Sequence, residues 1–174
     1  MTENELVNTY AKMLSPHFKL WREVNGVSLI SGARKRIDVV MESREIPSGC
    51  IEPIRFGVEF KSDQLQSMNQ YTGWLRQAIG YTQCQWGSRN IRLPILICPF
   101  MYYGGDEHGQ VSSVIRRVAG QFGIGEMGIV TYDRDYGYGK SHVKICVSGS
   151  TMWTSFGGWN KSLVKMDFSK RYIL

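Results

Sequence analysis

The sequence predicts an α/β fold with one mixed central β-sheet flanked by helices. Two observations carry this. Strand-type segments at 18–24, 27–30, 37–41, 56–61, 93–100, 127–132 and 142–147 interleave with helix-type segments at 2–14, 62–85 and 111–122. Strands that alternate with helices form sheets with parallel pairs, whereas adjacent strands joined by short turns pair antiparallel. The second observation is size: 174 residues, 43% hydrophobic and 12% aromatic, can bury a full core without disulfide or metal staples. The whole chain, 1–174, reads as one domain. Its core lies at about 1–132, and 133–174 supply a last strand and a basic, aromatic tail.

The elements follow in order. Thr2 with Glu5 three residues on is a capping-box pattern, and Leu6, Val7, Tyr10 and Leu14 form one apolar stripe. Ser15-Pro16 ends that helix. Residues 18–24 alternate, Asn25-Gly26 is a two-residue hairpin signal, and 27–30 resume a strand. Residues 31–36 form a basic loop or the start of a strand, and 37–41 form a strand carrying Asp38. Pro47, Gly49 and Pro53 mark 42–53 as a connection. After the strand at 56–61, residues 62–85 have helical spacing. Met68, Leu75 and Ile79 lie on one side with Tyr71 and Ala78 at its margin, and Gln66, Gln70, Trp74, Gln77 and Tyr81 lie on another. Leu93 to Phe100 is an apolar run suited to a buried strand. Tyr103-Gly104-Gly105-Asp106 is a turn, and Val111, Val114, Ile115, Val118, Ala119 and Phe122 give the next helix its apolar stripe, with Gly123 as stop. Strands at 127–132 and 142–147 flank the turn Tyr136-Gly137-Tyr138-Gly139, and the tail after Gly149 shows no period.

Composition removes several functions. No apolar run approaches the ~20 residues of a membrane helix, and the acidic N-terminus lacks a secretory leader pattern, so a cytoplasmic, non-membrane protein is expected. Cys50, Cys84, Cys98 and Cys146 are too dispersed for a zinc site and read as reduced, mostly buried thiols. His17, His108 and His142 are isolated, and no nucleophile elbow or phosphate-binding loop is present. A net charge of +6 is compatible with a polyanionic partner.

The residues that carry chemistry are Asp38, Glu59 and Lys61, then Gln77 and Tyr81 one turn apart. Alternation along the strand puts Glu59 and Lys61 on one face and sends Phe60 to the other, into the core. Two carboxylates on neighbouring strands are hard oxygen donors of the kind that bind magnesium or manganese together with waters and a phosphate. A nearby lysine can position the attacking water or stabilise charge on the phosphorus. Arg34, Lys35 and Arg36, just before Asp38, suit contacts to a phosphate backbone, and Trp74 can stack on a base. The tail cations Lys161, Lys165, Lys170 and Arg171, among Trp159 and Phe168, are weaker candidates.

In sequence order, Arg36-Ile37-Asp38, Gly57-Val58-Glu59-Phe60-Lys61 and Gln77-Ala78-Ile79-Gly80-Tyr81 resemble the PD-(D/E)XK nuclease superfamily. The Gln-xxx-Tyr helix is similar to its RecB-like and lambda-exonuclease-like branch. The resemblance covers about 1–132 and implies a restriction-endonuclease-like core and hydrolysis of DNA phosphodiesters with Mg2+ or Mn2+. By position, Asp38 and Glu59 become metal ligands and Lys61 the catalytic lysine, while Gln77 and Tyr81 orient the site or meet the DNA backbone. Ile37 stands where the superfamily's motif has proline. An upstream glutamate is often a further ligand; Glu23 is the best-placed match, and Glu3 or Glu5 are alternatives. A structure-selective endonuclease of the junction-resolvase kind, or a non-catalytic DNA-binding or assembly protein on the same fold, are the competing expectations. A homo-oligomer, a role in DNA repair or recombination, and a phage or mobile-element origin all fit a lone module of this size.

Overall fold

The computed structural model describes residues 1–62, 68–88, 90–100, 106–131 and 141–161, except for the side chains of 68, 69 and 106–113. Among these residues there are three helices, α1 (Glu3–Leu14), α2 (Met68–Thr82) and α3 (Asp106–Gln121). The strands are β1 (Phe18–Ser28), β2 (Arg34–Ser43), β3 (Arg55–Phe60), β4 (Cys84–Trp86), β5 (Ile95–Cys98), β6 (Ile124–Thr131), β7 (Ser141–Val147), β8 (Ser150–Thr154) and β9 (Gly158–Trp159). All nine strands lie in one sheet, in the order β4-β1-β2-β3-β5-β6-β7-β8-β9. β3, β5 and β6 run parallel, and the other pairs are antiparallel, so the sheet is mixed as the sequence predicts.

Helices cover both faces. α1 caps as expected: the Thr2 hydroxyl accepts the Glu5 N–H at 3.3 Å, and the Glu5 carboxylate accepts the Thr2 N–H at 2.8 Å. Its stripe of Leu6, Val7, Tyr10 and Leu14 is buried with Phe18, Val39, Met41, Phe56, Val58 and Phe60. On the opposite face α2 and α3 contribute Tyr71, Ala78, Tyr81 and Ala119 to a second cluster with Ile37, Trp86, Ile95, Ile97 and Ile124. Fully burying side chains of this size contributes ~1.5–3 kcal/mol each.

Several expectations need correction. Asn25-Gly26 is not a turn; both residues sit inside β1, opposite Arg36 and Lys35. The reason lies in the third dimension, because a Cβ at Gly26 would overlap the Trp86 indole, so this glycine serves close packing. The β1–β2 turn spans 29–33 instead. β2 extends to Ser43, two residues into the expected connection. The helix predicted over 62–85 ends at Thr82, because Cys84 to Trp86 pair with Ser28 to Gly26 as an edge strand. On α2 the deeply buried residues are Tyr71, Ala78 and Tyr81, while Ile79 is 41% exposed. On α3, Val114 and Val118, and Phe122 just beyond it, are each more than half exposed, and Ala119 is the buried contact. The segment after Gly149, read from sequence as without a period, contributes β8 and β9. Ser148 and Gly149, with φ of 53° and 77°, form a two-residue turn into β8, and Met152 and Trp153 join the first core cluster. Expectations at Gln66, the turns after Phe100 and Tyr132, the side chain of His108, and Lys165, Phe168, Lys170 and Arg171 lie outside the described residues.

Candidate active site

The site forms where two strands part. The β2–β3 ladder runs from Glu42↔Arg55 to Val39↔Val58 and stops there. Beyond that rung the Asp38 carboxylate takes the place of a strand, accepting the Phe60 N–H on Oδ2 at 2.7 Å. The irregularity is shared by β1, where Glu23, between the pairs Arg22↔Val39 and Val24↔Ile37, has a left-handed φ of 49°. Side-chain alternation in β2 breaks at the same level, since Ile37 packs in one core cluster and Val39 in the other.

β3 continues toward β5, with the Lys61 N–H donating to the Cys98 carbonyl at 2.7 Å. This keeps Glu59 and Lys61 on one face, and Phe60 points the other way, edge-on to Tyr10 with ring centroids 5.6 Å apart. α2 crosses above that face. Gln77 donates to Glu59 Oε1 at 2.6 Å and to the Tyr81 hydroxyl at 2.8 Å, and it accepts from Lys61 Nζ at 2.9 Å. Lys61 Nζ also donates to Glu59 Oε1 at 2.7 Å. The Tyr81 hydroxyl donates to the Arg36 carbonyl at 3.0 Å, fastening α2 to β2. Residues from positions 36 to 81 thus close one hydrogen-bonded network.

Its electrostatics are unbalanced. Glu59 is 7% exposed, and its second oxygen, Oε2, has no hydrogen-bond partner. Burial pushes the Glu59 carboxyl above its ordinary range, and the Asp38 charge adds to this against the Lys61 and Gln77 hydrogen bonds. Burial also raises Asp38; the Phe60 N–H and Lys61 oppose the shift, and Glu3 reinforces it. The Tyr81 hydroxyl is raised by burial, with Glu59 and Asp38 contributing. The Asp38 charge makes ionisation of Glu59 harder, and Lys61 acts against the rise at both carboxylates.

Glu23 does not join them. Its side chain is 70% exposed and faces the Arg36 guanidinium at 3.5 Å. Glu5 is committed to the helix cap, whereas Glu3, on the first turn of α1, is near enough to Asp38 to act on its charge. Arg34, Lys35 and Arg36 are exposed along the start of β2, and Trp74 is half-buried against the second core cluster.

Compared with protein-family models, with curated proteins and with solved structures, the chain matches none.

As a cation site the arrangement offers oxygen donors only, which suits a hard divalent ion. Among the described residues no cluster of three or more His, Cys, Asp or Glu side chains is placed to hold a metal. A cation here would take Asp38 and the free oxygen of Glu59, with waters and a phosphate completing the shell. Glu126, which the sequence pattern does not single out, is another buried carboxylate, raised by burial and paired at 2.9 Å with Arg116. It lines a cavity of about 20 Å³ with Tyr71, Cys146 and Ser148. That volume accommodates a single water, so its unpartnered Oε1 has a simpler account than catalysis.

Proposed function

We propose that this chain is a divalent-metal-dependent deoxyribonuclease with a restriction-endonuclease-like core of the PD-(D/E)XK type. The observation that carries the reading is the closed network of Glu59, Lys61, Gln77, Tyr81 and the Arg36 carbonyl, set beside Asp38 where β2 and β3 part. A structural ion pair needs neither the second carboxylate nor a helix-borne glutamine that bridges both partners.

Mg2+ or Mn2+ held by Asp38 and Glu59 would polarise a phosphodiester and supply a bound water of lowered pKa. The protein's own share is positional. Glu59 Oε1 and the Gln77 carbonyl oxygen both accept from the Lys61 ammonium, so two hydrogen bonds hold it beside the carboxylates. Donors fixed in this way can hold a water or meet developing charge on phosphate oxygens at no reorganisation cost. Gln77 sets Lys61 against Glu59, and Tyr81 sets Gln77. Arg34, Lys35 and Arg36 would hold the duplex by its phosphates.

The deciding experiment incubates the protein with circular single-stranded, circular duplex, linear duplex and four-way-junction DNA, in magnesium, manganese or chelator. Cleavage in metal alone, lost in Lys61→Ala, is the expected result. Cleavage only of free ends marks an exonuclease, and cleavage of junctions alone marks a resolvase. Metal-independent DNA binding with no cleavage would leave a nuclease-like scaffold without catalysis.

A further inference from the structure

The β1–β2 hairpin has an apex of unusual chemistry. Tight turns favour Gly, Pro, Asn, Asp and Ser, yet Leu29 and Ile30 lead this one. Ile30 is 81% exposed, with Leu29 at 44% and Val27 at 48% beside it. The apex is also held rigidly. The Ser28 N–H donates to the Ala33 carbonyl and the Gly32 N–H to the Ser28 carbonyl, each at 2.9 Å, with Gly32 supplying the left-handed φ of 68°. The Ser28 hydroxyl accepts the Ser31 N–H at 3.3 Å. The Leu29 N–H donates to the Gln83 carbonyl at 2.9 Å, which ties the turn to the connection after α2.

Directly below the apex the hairpin is basic. Arg34 pairs with Val27 and Lys35 with Gly26 across the ladder. Both cations are exposed, and among the described residues neither forms an ion pair with a carboxylate. Ile46 at 54% and Ile51 at 81% sit instead beside acids, Glu45 and Glu52. An apolar point above unpaired cations is complementary to a duplex, whose base steps are apolar between rails of phosphate. Aliphatic wedges entering the minor groove unstack such steps.

We propose that the hairpin apex is a DNA wedge: Ile30, supported by Leu29, enters the minor groove of a duplex and unstacks a base step while Arg34 and Lys35 neutralise neighbouring phosphates. The identity of the polyanion rests on the nuclease reading. From Ala33, at the base of the turn, to Asp38 the strand runs roughly 17 Å at about 3.3 Å per residue, which is about five base pairs at 3.4 Å each, and Ile30 lies beyond it.

The test uses the full chain with Asp38→Asn, in chelator, and duplexes with 2-aminopurine walked along one strand. Binding should raise the fluorescence at one or two adjacent positions. Adding Leu29→Ser and Ile30→Ser together should abolish the rise while duplex binding persists, with the thermal melt confirming the fold. Adding Arg34→Ala and Lys35→Ala should lower the slope of log affinity against log salt by about 2, near 0.9 per lost phosphate contact. No fluorescence rise at any position, or an undiminished rise in the serine variant, overturns the wedge. So does a serine variant that only breaks up a protein dimer in sedimentation. Failure of the nuclease reading is separate: wild-type protein that cleaves nothing in manganese can still unstack DNA in this assay.

Discussion

The two ends of the β2–β3 ladder hold acids beside bases and differ in every electrostatic respect. At one end Glu42 lies opposite Arg55 in register. Its Oε2 accepts from Arg55 Nε at 2.6 Å and its Oε1 from Lys19 Nζ at 3.3 Å, while Glu52 takes a second Arg55 nitrogen at 3.2 Å. Burial pushes Glu42 up, but the Arg55 and Lys19 hydrogen bonds overcome it and hold the carboxyl below its ordinary range. At the other end Glu59 and Asp38 share Lys61, one Glu59 oxygen is bare, and both carboxyls are raised. Two cations around one buried acid make a finished structural cluster. Two acids beside Lys61 stay raised although Arg36 also opposes the rise at Asp38, and Glu3 adds a further negative charge; such a cluster gains from another cation.

The largest break in this contrast comes from Asp38→Asn. It should remove cleavage, by roughly 10³-fold or more if the metal and its charge stabilisation are lost together. The same variant should raise the melting temperature at neutral pH without metal, because the asparagine oxygen can still accept the Phe60 N–H and the repulsion on Glu59 is gone. The sign follows from the raised carboxyls: the folded state holds their protons more tightly than the unfolded chain. Their cost is therefore absent below the unfolded pKa, grows as pH rises toward the folded value, and is complete only above it. Melting curves from pH 4 to pH 8 should show wild type and Asp38→Asn converging toward acid. A variant less stable than wild type at every pH would make Asp38 a structural acceptor and nothing more.

Gln77→Ala should cost ~10–100-fold in cleavage, the usual price of losing a group that orients ligands, with little change in DNA binding. Arg55→Met tests the opposite end. It leaves Glu42 buried without its strongest partner and should destabilise the fold by roughly 3 kcal/mol in urea titrations, while the activity of the folded protein is unchanged. The smallest effect is expected from Glu23→Gly. Activity should be unaltered, and stability should shift by no more than about 1 kcal/mol, as relief of the left-handed φ is set against a looser unfolded chain. Loss of cleavage in Glu23→Gly would restore that glutamate to the site and blur the contrast.

Local signals made much of this legible. The capping box at Thr2 and Glu5, the alternation around Glu59 and the one-turn spacing of Gln77 and Tyr81 depend on neighbours within a few residues, and the structure reproduces them. What sequence missed was decided at long range. Gly26 resembles a turn residue until Trp86 is packed on it. Cys84 to Trp86 read as the end of a helix until β1 offers an edge to pair with. Glu23 resembles a ligand by position, but a distortion of its own backbone accompanies its ion pair with Arg36. The β8 hairpin is the exception to this long-range rule, since Ser148-Gly149 between alternating apolar residues is a local signal.

The carboxylate at position 38 also bears on any attempt to transplant this centre. It is seated by an amide that goes unclaimed only because the neighbouring strand withdraws one rung early. Copying the acidic and basic side chains onto a fully zipped sheet would therefore leave the aspartate without its anchor. The portable unit is the shortened ladder together with the residue that answers it.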